Sequence, residues 1–103
     1  MMDVAFLSAI ELAGIIQSKQ ISSVELTRLY IDRIERYDGA INAVVVRIFE
    51  EALAAAEIAD TRLAKGGSLG PLHGVPMTIK ESYNVAGTPT TNGRPEMKDN
   101  IAP

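Results

Sequence analysis

The residue of this sequence best placed for acid–base chemistry is Lys80. It closes the run Val75-Pro76-Met77-Thr78-Ile79-Lys80. The alternation predicts a β-strand with Met77 and Ile79 on one face and Thr78 and Lys80 on the other. Lys80 then falls at the carboxyl end of the strand, where open α/β sheets place their ligand sites. A lysine there is costly unless it is paired or neutral. Desolvation lowers a lysine pKa from its ordinary value of about 10.4. A neutral lysine can take a proton from a serine hydroxyl and so activate a nucleophile. On strand position alone, a solvated or ion-paired lysine is the plainer reading.

Other side chains near Lys80 are weaker candidates. Ser82 lies two residues on, but Glu81-Ser82-Tyr83 has no glycine-rich turn to expose a nucleophile or supply oxyanion donors. His73, the single histidine, is expected to make a structural hydrogen bond. Thr90 and Thr91 can line a cleft or shape a turn. Met77 is expected in the core of the strand.

These residues need a scaffold, and helices supply its first part. Ser8-Ala9-Ile10-Glu11 and Ser22-Ser23-Val24-Glu25 both fit the capping box. The first predicts a short helix to about Ser18, with Ile10, Leu12, Ala13, Ile15 and Ile16 as its apolar set. The second predicts a helix in which Leu26, Leu29, Tyr30, Ile34 and Tyr37 recur at helical spacing, with Tyr30 and Tyr37 as half-buried packing groups. Asp32, Arg33, Glu35 and Arg36 mark its wet side, and Asp38-Gly39 is expected to stop it through a left-handed glycine. Ala43-Val44-Val45-Val46 favours a strand or an extended link. A third helix is expected from about Glu50 to Lys65, its acidic start and basic end matching the helix dipole, with Gly66-Gly67 as its stop. From residue 66 onward glycine and proline concentrate, which reads as strands and loops.

Composition sets the limits. With 103 residues, 47% hydrophobic and 22% charged, one domain is the natural count. The absence of cysteine excludes disulfides, zinc–thiolate sites and thiol catalysis. A net charge of −3, with basic residues scattered singly, argues against nucleic-acid binding and against a helix-turn-helix role for the first two helices. No apolar stretch approaches the roughly 20 residues of a membrane span. The N-terminal residues lack the basic and apolar regions of a secretory signal, so a cytoplasmic location is expected.

The run Leu69-Gly70-Pro71-Leu72-His73-Gly74-Val75-Pro76-Met77-Thr78-Ile79-Lys80-Glu81 resembles the amidase signature family at its catalytic-lysine strand. Ala86-Gly87-Thr88-Pro89-Thr90-Thr91-Asn92-Gly93 is similar to the Gly-x-Pro-Thr-Thr segment that follows it. Two short helices, an Asn42-Ala43 step and the Ala-rich helix with Asp60 come in the order of that family. The resemblance extends from about Ser8 to Pro103, and its specific part is 70–93.

The resemblance implies an α/β fold, a mixed sheet covered by helices. Of it this chain holds the leading helices (about 8–66) and the first strands and loops (about 67–103), as the N-terminal part of one amidase domain. It also implies amide-bond hydrolysis by a Ser–cis-Ser–Lys triad, with Lys80 as the base relayed through one serine to a second that attacks the carbonyl. Two positions depart from the family: Glu81 and Ser82 stand where Asp and Asn are usual. If the strand continues, Glu81 points away from Lys80. The Gly-Ser-Ser-Gly-Gly type of segment that brings both serines and the oxyanion loop is absent from the sequence.

The expectation is therefore an enzyme piece that is inactive alone and acts on a small-molecule amide, with no metal or organic cofactor. The remainder of the amidase domain, or a second copy, is its expected partner. Two alternatives are a non-catalytic interaction module, because a lone strand pair is marginal in water, and a piece of one polypeptide of an amidotransferase complex.

Overall fold

The computed structural model describes residues 3–67 and 69–103. Met1 and Met2 of the N-terminal stretch lie outside it. A 3-10 turn over Val4–Phe6 leads into three helices: α1 (Ala9–Gln17), α2 (Ser23–Tyr37) and α3 (Phe49–Lys65).

Both expected capping boxes form. The Ser8 hydroxyl accepts the Glu11 N–H at 3.1 Å, and the Glu11 carboxylate accepts the Ser8 N–H at 3.0 Å. Ser22 and Glu25 repeat the exchange at 2.9 and 3.1 Å. The start of α2 is satisfied from outside as well, because Asp60 of α3 accepts the N–H groups of Ser23 (2.7 Å) and Val24 (3.1 Å). Those are two of the donors a helix start leaves unpaired, and a carboxylate also suits the positive end of the dipole. One side chain thus caps α2 and ties it to α3.

The core lies where these helices meet. Leu12, Ile16 and Leu26 are its buried centre, with Val4, Leu7, Ile15, Ile21, Tyr30, Leu63 and Val75 packed around it. Ala13 and Ala56 are buried too, and α2 packs directly on α3. Ile10 is exposed instead of joining the apolar set. It stands two residues before Leu12, on nearly the opposite side of the helix. Tyr37 is also exposed, with the guanidinium groups of Arg33 and Arg36 over its ring at 5.4 and 5.9 Å.

The end of α2 differs from the expected left-handed glycine. A 3-10 turn over Asp38–Ala40 continues the helix, and the positive φ falls at Asn42 (56°). Asp38 is the organising residue. Its buried carboxylate accepts the N–H groups of Ala43 (2.8 Å) and Val44 (3.1 Å) and pairs with Arg47 at 3.3 Å. The Ala43 N–H, opposed by burial and aided by Val44 and Arg47, holds the Asp38 carboxyl below its ordinary pKa. Residues 43–46 are accordingly an extended link rather than a strand. At the end of α3, Gly66 (φ 78°) and Gly67 (φ 100°) stop the helix as expected.

The expected strands are absent among the described residues. Residues 75–80 carry no regular secondary structure and no ladder pairs them, and Met77 and Ile79 are 68% and 55% exposed rather than in a core. Pairing is confined to an antiparallel bridge between Pro89 and Ile101. The described residues are mostly helical and include no strand. A strand needs a neighbouring strand for its N–H and C=O groups, and 75–80 pairs with none among the described residues. The molecule is correspondingly open. Its accessible surface is 7406 Å², against roughly 5,700 Å² for a compact monomer of this mass.

Candidate functional site

The segment carrying Lys80 is held at both ends. At its start, residues 70–75 form a turn seated on the helices. The His73 ring Nε2 donates to the Ala59 carbonyl of α3 at 2.8 Å, which requires the tautomer protonated at Nε2. His73 therefore has the structural hydrogen bond expected of it. The Ser23 hydroxyl of α2 donates to the Gly74 carbonyl at 2.6 Å. Gly74 has φ 80°, and a Cβ there would come within 3.2 Å of Ile16 Cγ2 and 3.3 Å of Ser23 Cβ. Only glycine meets both the backbone and the space requirement. Val75 then enters the core cluster.

Past this joint the chain runs out to Lys80, which is exposed and takes part in none of the ion pairs among the described residues. Two shallow depressions lie on the helical surface, one around Tyr30, Arg33 and Tyr37 and one around Glu57, Ile58 and Arg62. Neither includes Lys80. Among the described residues, no three His, Asp or Glu side chains converge as a metal site would require.

On the far side of Lys80 the backbone turns, with the Tyr83 N–H bonded to the Lys80 carbonyl at 3.0 Å. Glu81 reaches ahead to the loop at 91–93. Its carboxylate accepts the N–H of Thr91 and that of Asn92, the latter at 2.9 Å. Burial works against this carboxylate. The Thr91 N–H and hydroxyl and the Asn92 and Gly93 N–H groups outweigh it and keep the Glu81 pKa below its ordinary value. The loop is in turn tied to the C-terminal residues. Thr90 N–H donates to Asn100 O, Asn100 Nδ2 to Thr90 O and Ala102 N–H to Thr88 O, each at 2.9 Å. Thr90 is buried in this turn-rich unit, its hydroxyl without a hydrogen-bond partner among the described residues. Ser82 is exposed and has no ring of backbone donors about it.

Of the sequence candidates, Lys80, Glu81, Thr90 and Thr91 share one region, whereas His73 serves the joint below it. Sequence reasoning passed over Ser23 and left Asp60 without a role. Their partners lie 36 to 51 residues away in the chain, and no local pattern announces such bonds. The only cue was polar side chains where a helix start and an Ala-rich helix meet.

Comparison with known proteins adds to this geometry. A family model described as Amidase matches residues 25–103, most of α2 through the Lys80 region. The chain belongs to the amidase family. Among its amidase relatives, indoleacetamide hydrolase of Bradyrhizobium diazoefficiens is 50% identical over 96 residues, covering 93% of this chain and 18% of that protein. A glutamyl-tRNA(Gln) amidotransferase subunit of Acidothermus cellulolyticus is 40% identical over 103 residues, all of this chain and 20% of that one. The corresponding subunit of Moorella thermoacetica is 40% identical over 102 residues, 99% of this chain and 21% of that protein. The chain thus spans about a fifth of the length of these curated relatives.

Proposed function

We propose that residues 8–66 and 67–103 are the helical lead-in and the lysine segment of one amidase domain. In the longer polypeptide this domain hydrolyses a linear amide by a Ser–cis-Ser–Lys mechanism. Lys80 is the base. The observation that supports this reading is that the segment ending in Lys80 is anchored at Gly74 before it and at Glu81 after it.

In this mechanism neutral Lys80 Nζ takes a proton from a bridging serine, which takes one from the nucleophilic serine as that attacks the carbonyl carbon. The proton returns to the leaving amine as the C–N bond breaks, and water then frees the acid from the acyl-enzyme. Both serines come from beyond the residues described. The unpaired run at 75–80, with exposed Met77 and Ile79, is the edge on which further strands of an α/β sheet would build. A sheet covered by helices on both faces would take Lys80, on the side opposite Met77 and Ile79, out of water, the condition under which a lysine gives up its proton.

The indoleacetamide hydrolase relative favours a small aryl-acetamide as substrate, and the location expected from the sequence, cytoplasmic, goes with it. A second reading comes from the amidotransferase relatives, one of which matches the whole chain. On that reading the amide is opened inside a multi-protein complex that passes the ammonia on. Ammonia release from indole-3-acetamide and from glutamine, by the full gene product carrying this chain and by residues 1–103 alone, tests the proposal. Release by the full product and none by residues 1–103 is expected. Lys80-dependent release by residues 1–103 alone contradicts it.

A further inference from the structure

Glu81 stands next to the base, yet its side chain is turned to a loop ten residues ahead. That loop is shaped to receive it. Asn92 (φ 53°) and Gly93 (φ 74°) are both left-handed, and the Gly93 N–H is bonded to Thr91 Oγ1 at 3.2 Å. Residues of this kind turn successive N–H groups toward one point, a concavity that holds an anion. The Glu81 carboxylate fills it. Because the loop is itself fixed to residues 100–102 through Thr88, Thr90 and Asn100, the carboxylate is tied to a braced object. The residue directly before it is Lys80, whose carbonyl is held by Tyr83.

We propose that Glu81 is a positioning residue for Lys80: by docking in the Thr91–Asn92 turn it sets where the lysine backbone sits, and so the direction from which Nζ reaches the serine. This inference rests on Lys80 as the base and goes beyond it. A carboxylate that served only solubility would be free in solvent, and one that served as an ion-pair partner would face Lys80. The structure shows neither arrangement.

Three variants of the full gene product test it, with kcat, KM and melting temperature measured for each. Glu81→Gln keeps the size but removes the charge and one acceptor. It is expected to lower kcat about tenfold or more with KM within about twofold, since placing the base a fraction of an ångström wrong costs rate rather than binding. Glu81→Asp keeps the charge and is expected to recover most of the lost rate. Lys80→Ala separates the two ideas. If it retains turnover, the base assignment fails. If it is inactive while folded Glu81→Gln turns over at the parental kcat, the positioning role alone is overturned. Hydrogen exchange on the unmutated protein needs no variant to fold. Slow exchange of the Thr91 and Asn92 N–H groups supports the docked carboxylate, and exchange as fast as an open loop refutes it.

Discussion

Residues 8–66 and residues 67–103 solve the problem of folding in different ways. In the first region helix ends are tied by side chains of the region itself. Two capping boxes and the Asp60 carboxylate pair N–H groups at the starts of α1 and α2, and the Asp38 carboxylate pairs those of the link that follows α2. This region also holds the molecule's buried cluster, Leu12, Ile16 and Leu26, although Ile10, Ile41 and Ile58 stay exposed. In the second region Ala102 and Thr90 are the buried side chains among the described residues, while Met77, Ile79, Tyr83 and Ile101 face solvent. Its order comes from hydrogen-bonded turns and one bridge. The difference teaches where stability and chemistry reside. The helices are a foundation, and the loops are a presented surface whose burial must come from elsewhere. His73, Gly74 and Ser23 are the joint between them.

The contrast can be attacked from the stable side first. Leu26 is fully buried, and Leu26→Ala is expected to cost about 2–5 kcal/mol, the range for truncating a core leucine. Urea unfolding of the full gene product measures this. Per folded molecule, amide turnover is expected to stay near the parental value. A Leu26→Ala protein that keeps its stability would show that the helical region is no foundation.

A smaller effect compares the two docked carboxylates. Asp38 and Glu81 both have folded pKa values below their ordinary 3.8 and 4.5. A lowered carboxylate pKa gives stability that is present above the ordinary value and lost as pH falls through the folded one. Stability is therefore expected to be level with respect to these two groups from neutrality down to about pH 5, and to decline below 4.5 and again below 3.8. Asp38→Asn and Glu81→Gln should each remove one part of that decline. If both variants follow the parental curve in acid, the two carboxylates are not coupled to folding.

What the sequence disclosed follows the range of the interactions. Ser8 with Glu11 and Ser22 with Glu25 are three residues apart, so their caps and the helices they start were legible. So were the stop at Gly66 and the turn-forming run at 86–93. The place where α2 ends was legible from Asp38-Gly39, but its form was not: the left-handed residue is Asn42 rather than Gly39, and Asp38 works through N–H groups five and six residues ahead. The exposure of Ile10 depends on which side of a short helix meets α2, which a list of apolar residues does not contain. The strand at 75–80 was inferred from alternation alone. Alternation describes one edge and says nothing of the partner that would turn an extended run into a sheet. The candidate site divides in the same way. Lys80 was singled out by its run and its resemblance, and the hydrogen bond of His73 was anticipated in kind. The hold of Glu81 on Thr91 and Asn92 and that of Ser23 on Gly74 were not, because each joins residues far apart in the chain.

The central claim is that Lys80 is the base. Its most direct test is the rate of ammonia release by Lys80→Ala in the full gene product, with folding checked by circular dichroism and melting temperature. Loss of a positioned base is expected to lower kcat about 10²–10⁴-fold. The fold should be kept, since Lys80 is exposed here and joins none of the ion pairs among the described residues. A folded Lys80→Ala protein with turnover within about twofold of the parent would contradict the assignment.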